Sequence, residues 1–508
     1  MEEYIKLYYA LQPERKSAIL EKSDLDLELD DAFSTVDYTC TVPGRQYLYD
    51  RLKRPLTSYE SLMALEQQIQ AYARDEDFQA LFDRQAKVLG KQDSADLPYL
   101  IFGDDLKVLW YYRWIPFLQI AMALAVILSF FVPWGLLTVI ALFGFNLYLH
   151  FHNKMVLDTY RRGLNSVITL YDFCTSMKKY DTSGRMLDQA TLEACNGLKA
   201  VRKRLSINQS LQLFTSSELY MLPWLIYELL KAFTLVELSA SRFIVKEVNL
   251  KKALIHQLYK SVGKTDFLYS IVRLRAATAC CVPGFVPTVA DAEIMGLYHP
   301  LIKDCVKNDF IPGKNAVLIT GSNAAGKSTF LRSLALSNIL VASIHTCFAD
   351  RFKLPLLVTI AALHHSDNLQ QGLSHYLSEV KDMAEVFKLS ASGHCLLLFD
   401  EPFNGTNSRE RIAIAAAMLQ YFASQHGHMT LVASHDFELL QLLEGVYKMY
   451  YFNERVEPDG KLIFDYRLKE GKKITRNALE LIKIEGFPAI VVEKANQIYR
   501  EMEQRLVK

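Results

Sequence analysis

The chain has 508 residues, 57 Lys and Arg against 56 Asp and Glu, and a hydrophobic share of 51%. That balance excludes a disordered or fibrous chain and argues against a polyelectrolyte-type nucleic-acid binder, while leaving room for a local basic patch. At ~100–200 residues per domain, the length accommodates about three domains.

The N-terminal run MEEYIKLYYALQPERK carries acids at once and lacks the basic start and apolar core of a signal peptide, so no secretion is expected. The cysteines at 40, 174, 195, 280, 281, 305, 347 and 395 form no CxxC pair and no zinc-type cluster with histidine. They read as reduced cytosolic thiols.

Between Arg113 and Lys154 the chain has no Asp, Glu, Lys or Arg. Pro133-Trp134-Gly135 is a turn former near the middle of this run. It divides the run into Trp114 to Val132 and Leu136 to Phe151, each short of or near the ~20 apolar residues that cross a bilayer. Lys107 and Arg113 precede the pair, and Lys154, Arg161 and Arg162 follow it, which marks both outer ends as cytoplasmic. The segment reads as a transmembrane hairpin in preference to a buried soluble hairpin, because soluble core helices usually keep a charged stripe on one face.

The run Lys199, Arg202, Lys203, Arg204 is a basic patch with no interleaved aromatic residue; it suits either DNA phosphates or a solvated helix face. A second apolar stretch from Leu219, LYMLPWLIYELLKAFTLVEL, has Glu218 just before it and is interrupted by Glu228, Lys231 and Glu237. It is expected to be core or an oligomer contact.

Beyond about residue 290, β-like runs alternate with helical ones, an α/β pattern. NAVLIT (315–320) reads as a buried strand that leads into GSNAAGKST, where Gly321, Gly326, Lys327 and Ser328 fit G-x-x-x-x-G-K-[ST] and a helix follows. Such a loop (Gly321, Ser322, Asn323, Ala324, Ala325, Gly326, Lys327, Ser328, Thr329) wraps phosphates with backbone N–H groups. Lys327 is expected to reach the β/γ-phosphates and Ser328 to ligate Mg²⁺. CLLLFDE (395–401) ends a strand in two carboxylates, Asp400 for the Mg²⁺ shell and Glu401 to polarise the attacking water. LVASHD (431–436) ends in His435, placed to contact the γ-phosphate.

These residues resemble the MutS family of ABC-superfamily ATPases. The resemblance rests on HPLI (299–302), NDF (308–310), LITGSNAAGKSTFLR (318–332), SDNLQQGLSHYLSE (366–379), LLLFDEPFNGTN (396–407), ASHD (433–436) and YRLKEG…GFPAIVVEKA (466–495), the last similar to that family's closing helices. TVPGRQYLYDRLKRPLTSYESLMALEQQIQ (41–70) is similar to the start of the MutS core domain, and VGKTDFLYSIV (262–272) to the helix returning toward the ATPase. The resemblance implies that Asn323 contacts phosphate. It also implies that Ser374, which with Glu379 fits S-x-[FY]-x-x-E, acts on nucleotide bound to a partner subunit; a helix N-cap is the alternative for that serine. Departures are Ser322 in place of the family's Pro, Pro402-Phe403-Asn404 before Gly405-Thr406, and Cys305 near the place of an adenine-stacking aromatic.

The expected fold is a C-terminal α/β P-loop ABC-type ATPase domain (289–508). An all-α MutS core and lever-like domain precedes it (1–105 and 156–288), interrupted by a transmembrane hairpin (106–155). Fewer than about forty residues precede the core-like segment, so no mismatch-recognition domain is expected; nor is a C-terminal nuclease domain. The resemblance implies ATP and Mg²⁺ and a homodimer through the ATPase domains, while the apolar hairpin and its flanking cations lead us to expect a place at the cytoplasmic membrane with the ATPase domain facing the cytoplasm. Two readings of the partner stay open: DNA without mismatch reading, or a protein partner of a membrane-anchored ATP-driven switch with no DNA binding.

Overall fold

The computed structural model describes residues 2–12, 27–87, 89, 95–181, 184–210, 221–363, 375–391, 393–403, 408–456, 462–473, 482, 484 and 486–506. Two compact units interleave along the chain. The first comprises the described residues of Met1–Arg15, Asp37–Asp50 and Ile69–Val272, and the second those of Lys16–Val36, Arg51–Gln68 and Arg273–Lys508.

The first unit is helical. Its helices are Glu3–Leu11, the greater part of Val42–Lys53, Glu76–Ala86, Leu97–Phe102, Ile115–Ser129, Gly135–Asp158, Arg161–Met177, Gln189–Ser210, Met221–Thr234, Val236–Leu250, and Lys252–Ala277 as far as Val272. A fully buried carboxylate organises the start of Val42–Lys53. Asp266 accepts the backbone N–H of Thr41 at 2.7 Å, the Thr41 hydroxyl at 2.7 Å and the N–H of Cys40 at 3.0 Å. Donors left over at a helix N-terminus are thus satisfied by a residue more than two hundred positions away. Gly44 is required beside it, because a Cβ there would lie 2.1 Å from Asp266 Oδ2.

The apolar run forms a helical hairpin. Gly135 closes its turn by donating to Val132 O at 2.9 Å, and a Cβ at Gly135 would come within 2.5 Å of Ser129 Cα. The first helix has 15 residues and the second 24. The second continues past Phe151 to Asp158, farther than the apolar pattern suggests. Among the described residues it is the one helix long and apolar enough to cross a membrane by length and composition, and only 22% of its most apolar window is buried. The polarity is inverted. Asn146, His150 and Asn153 are buried, while Phe117, Leu124, Phe131, Trp134 and Ile140 are exposed.

Helix Met221–Thr234, expected to be core or an oligomer contact, turns an apolar face outward. Its charges do not form a solvated stripe: Glu228 and Lys231 are buried, and they pair at 3.0 Å. His150 Nε2 lies 2.8 Å and Lys154 Nζ 3.4 Å from Glu228, and Glu237 receives Lys231 at 3.2 Å. Leu225, Ile226 and Leu230 face outward instead. Ion pairing inside the bundle removes the need for water, so charges in the sequence do not mark the wet side of this helix. Glu218 lies outside the described residues. The basic run also proves largely engaged: Arg202 grips Asp172 through two hydrogen bonds (2.8 and 3.0 Å), and the Arg204 guanidinium lies 4.0 Å from the Phe243 ring centroid.

The second unit holds two sheets. Strands β1 (Gly284–Phe285), β2 (Glu293–Leu297), β3 (Asn308–Phe310) and β5 (Arg351–Leu354) form a mixed sheet in the order β1-β5-β2-β3. Strands β4 (Ala316–Thr320), β6 (Val358–Ala362), β7 (Cys395–Asp400), β8 (Met429–Ala433), β9 (Lys448–Val456) and β10 (Leu462–Glu470) form the larger one, ordered β10-β9-β4-β8-β7-β6. Only β10 runs antiparallel to its neighbour. Strands β4, β7 and β8 are buried along their whole length, as continuous apolar runs in a parallel sheet should be. YRLKEG lies mostly in β10 and not in a closing helix, whereas the later GFPAIVVEKA leads into helix Ala489–Leu506.

Helix Lys327–Ile344 starts at the glycine loop. Its far end, His345, has φ 51° and is held by a buried charge cluster. Arg275 forks onto Glu66 at 2.7 and 3.0 Å and also donates to His345 O at 2.8 Å, while His345 Nδ1 lies 2.9 Å from Glu66.

Asp266→Ala leaves several buried donors without an acceptor. We expect a loss of about 3 kcal/mol, seen as a lowered unfolding midpoint in denaturant titration, with Asp266→Asn retaining part of the difference.

Candidate functional site

The site is built by register. Strand β4 pairs with β8 so that Ile319 faces Ala433, and β8 pairs with β7 so that Ala433 faces Asp400. The carboxyl ends of three adjacent parallel strands therefore open into three loops on one edge, where open α/β sheets bind ligands. Backbone bonds tie the loops together: Ser434 donates to Ile319 O at 3.1 Å and Glu401 to Ala433 O at 2.9 Å.

After β4 the chain turns at Gly321 with φ 135°, passes through a short 3-10 turn (Asn323–Ala325) and turns again at Gly326 with φ 109° before the helix begins at Lys327. Both glycines occupy a region that L side chains rarely adopt, and a Cβ on Gly321 would meet Phe452 O at 3.0 Å. The result is a loop that leads directly into the N-terminal end of an 18-residue helix, with its free N–H groups and positive dipole end. Within it Ala325 is buried, Ala324 exposed and Thr329 half-buried.

Lys327 is fully buried, an unusual place for an ammonium group. Its Nζ donates to Gly321 O at 2.5 Å and stands 3.7 Å from Glu401 Oε1. Burial pulls its pKa below the usual lysine value, and the neighbouring carboxylates of Glu401 and Asp400 only partly oppose this. Ser328 Oγ donates to Asp400 Oδ2, which brings a hydroxyl and a carboxylate together as a hard oxygen pair suited to Mg²⁺.

Glu401 follows β7 with φ 49°, a strained conformation for a non-glycine residue. His435 Nδ1 lies 2.5 Å from its Oε1, and the Ser434 hydroxyl donates to its Oε2 at the longer 3.4 Å. Burial alone would raise the Glu401 pKa; His435 and Lys327 outweigh it and hold the carboxyl below its ordinary value. The hydrogen bond to Glu401 raises the His435 pKa against the opposing effect of burial. Asp436, the next residue, is fixed by Arg411 at 2.9 Å.

The structure thus brings together Gly321, Gly326, Lys327, Ser328, Asp400, Glu401 and His435. Asn323 occupies the 3-10 turn; Ser374, Asn404, Gly405 and Thr406 lie outside the described residues. Glu379 is buried in helix His375–Ser390. Cys305 Sγ accepts the N–H of His299 at 3.4 Å.

Two contributors escaped the sequence reading. Glu454, buried in β9, receives the hydroxyl of Ser322, and Ser434 supports Glu401. Ser434 stands within ASHD and was open to notice there. Glu454 carries no spacing signal, since only the β4–β9 pairing brings its strand beside the loop.

Residues 317–503 match the family model for MutS domain V. The chain is similar to DNA mismatch repair protein MutS of Fusobacterium nucleatum, 29% identical over 283 residues that make up 50% of this chain and 31% of that protein. It is similar also to DNA mismatch repair protein MutS of Aquifex pyrophilus, 28% identical over 257 residues (48% of this chain, 29% of that protein), and to DNA mismatch repair protein MSH3 of Phaeosphaeria nodorum, 26% identical over 281 residues (53% and 25%). The match spans about a third or less of the length of these relatives. Together, the domain V match and these similarities mark a resemblance to MutS proteins over about half of the chain.

The Glu401–His435 pair sets a pH window. The histidine pKa is raised, so its share of the interaction is complete below the ordinary histidine value and fades as pH rises through the raised one. The glutamate pKa is lowered, so its share is present above the ordinary carboxylate value and fades as pH falls through the lowered one. In ligand-free protein the His435 imidazole should titrate above the ordinary histidine range by NMR, and Glu401→Gln should bring the midpoint down.

Proposed function

We propose that this chain is a Mg²⁺-dependent MutS-type ATPase, anchored at the cytoplasmic membrane through residues 114–151 with its ATPase domain facing the cytoplasm, that forms a homodimer around nucleotide. The observation that carries the ATPase reading is the convergence of Lys327, the Ser328–Asp400 pair and the Glu401–His435 pair on one edge of three adjacent parallel strands.

In this reading, backbone N–H groups from Gly321 to Ser328 donate to phosphate oxygens, and Lys327 turns from Gly321 O toward the terminal phosphates. Ser328 and Asp400 would hold Mg²⁺, which supplies charge neutralisation on the phosphates when bound. Glu401 is suited to accept a proton from the attacking water because its neighbours keep it ionised. His435 restrains Oε1 at 2.5 Å, whereas the Ser434 hydroxyl reaches Oε2 at the longer 3.4 Å. Ser374 would act on nucleotide held by the second subunit. The membrane reading is supported by the inverted polarity of the hairpin, apolar outward and polar inward.

The relatives' names concern DNA mismatch repair, and similarity makes DNA one partner. The engagement of Arg202 with Asp172 and of Arg204 with Phe243 favours the second reading, a membrane-anchored ATP-driven switch acting on a protein partner without DNA.

Lys327→Ala should weaken nucleotide binding, and Glu401→Gln should bind ATP but hydrolyse it about 10²–10⁴-fold more slowly; parental turnover by Glu401→Gln would remove the assigned base. In sedimentation, ATP should drive Glu401→Gln toward dimer, and Ser374→Arg should abolish that shift. Filter binding to duplex, branched and single-stranded DNA across a salt series separates the two partner readings. Only the first gives affinity that declines with salt.

A further inference from the structure

Resting on the membrane reading of the hairpin, we propose that its base is a binding site for one anionic phospholipid, with the phosphate held by Arg113, Arg242 and Lys246 and an acyl chain in the apolar cleft across Trp110. These three cations line a cleft of about 590 Å³ beside the start of helix Ile115–Ser129. No carboxylate lines it, and among the described residues none of the three cations has an ion pair or hydrogen bond to the protein. Three carboxylates nearby in the chain are committed elsewhere: Asp105 to Lys252 at 2.9 Å, Glu237 to Lys231 at 3.2 Å and Glu247 to Lys251 at 2.6 Å. A concave site with three unneutralised cations attracts an anion, and guanidinium groups match phosphate oxygens in particular.

The wall of the cleft is fixed before any ligand arrives. Asn249 exchanges both amide hydrogen bonds with the backbone of Leu106, at 2.9 and 3.1 Å, pinning the segment that leads to Trp110 against helix Val236–Leu250. Tyr112 donates to Asn153 Oδ1 at 2.8 Å, and Asn153 donates to Ser241 at 3.0 Å, which holds the tyrosine ring in the lining. Arg113 rests 5.3 Å from the centroid of the Trp114 ring.

A second cleft selects lipid over a free anion. It holds about 330 Å³, is bounded by Trp114, Phe117, Leu118 and Phe145, and shares Trp110 with the cationic cleft. Trp110 is 64% exposed at this boundary. A cationic recess and an apolar recess meeting at a tryptophan reproduce the amphipathic order of a phospholipid at the bilayer surface. Inorganic phosphate and a nucleic-acid backbone have no use for the apolar half.

The test uses the full chain purified in detergent, native mass spectrometry, and phosphatidylglycerol, phosphatidylcholine or inorganic phosphate as probes. The parent should retain phosphatidylglycerol in preference to phosphatidylcholine, and excess inorganic phosphate should not displace it. Each cation replaced by Gln should weaken retention about fivefold, and all three together on the order of a hundredfold. Arg242→Gln and Lys246→Gln, on an exposed helix face, serve if the triple variant does not fold. Trp110→Ala should also weaken retention. Equal retention of both lipids, undiminished retention by the variants, or displacement by phosphate overturns the site. Alkaline carbonate extraction of parent and variants reads anchorage separately: both should stay with the membrane, and release of the parent overturns the membrane reading and the lipid site with it.

Discussion

The candidate site depends on the register of β4, β8 and β7. Because side chains alternate along a strand, a slip of one residue in β7 would exchange the faces of Asp400 and Glu401. Ser328 would lose its carboxylate partner, and Lys327 and His435 would lose theirs. Complete burial of all three strands specifies that register, since the apolar residues of β7 pack on both faces of the sheet. The hydrophobic interior of the second unit thus sets distances among charged groups at its edge, and no charged pair has to position itself.

The same rule of burial takes the opposite form in the first unit. There the apolar residues of the hairpin and of helix Met221–Thr234 face outward, and Glu228, Glu237, Lys231, Lys154 and His150 turn toward one another inside. Two carboxylates face two ammonium groups there, Lys231 from a buried position and Lys154 from a partly exposed one. Removing one partner would leave an uncompensated buried charge, which costs far more than the intact pair contributes. The cluster therefore fixes which faces of these helices meet.

Much of the candidate site was legible in the sequence because local chemistry determined it. The glycines at 321 and 326, the apolar runs into Asp400 and Ala433, and the break at Pro133-Trp134-Gly135 each specify a backbone geometry within a few residues. What stayed hidden depends on distant pairing. Glu454 reaches Ser322 only through the β4–β9 contact, and Asp266 caps a helix from across the chain. The charges of Met221–Thr234 misled for a related reason: sequence shows that a residue is charged, not whether its counter-ion lies inside. YRLKEG alternates polar and apolar residues as a strand should, and its pairing with β9 decided the matter.

The Arg275–Glu66 fork has a consequence for biosynthesis. Its two residues are 209 positions apart. At elongation rates of about 5–20 residues per second, Glu66 waits roughly ten to forty seconds on the ribosome before Arg275 exists. Throughout that interval Leu62 and Leu65, buried in the finished protein, belong to a segment whose unit has not been made. A nascent chain in this condition exposes apolar surface and an unmatched carboxylate together, so the second unit cannot mature as an autonomous C-terminal piece. Residues 51–68 therefore leave the ribosome before the glycine loop of the same unit has been translated.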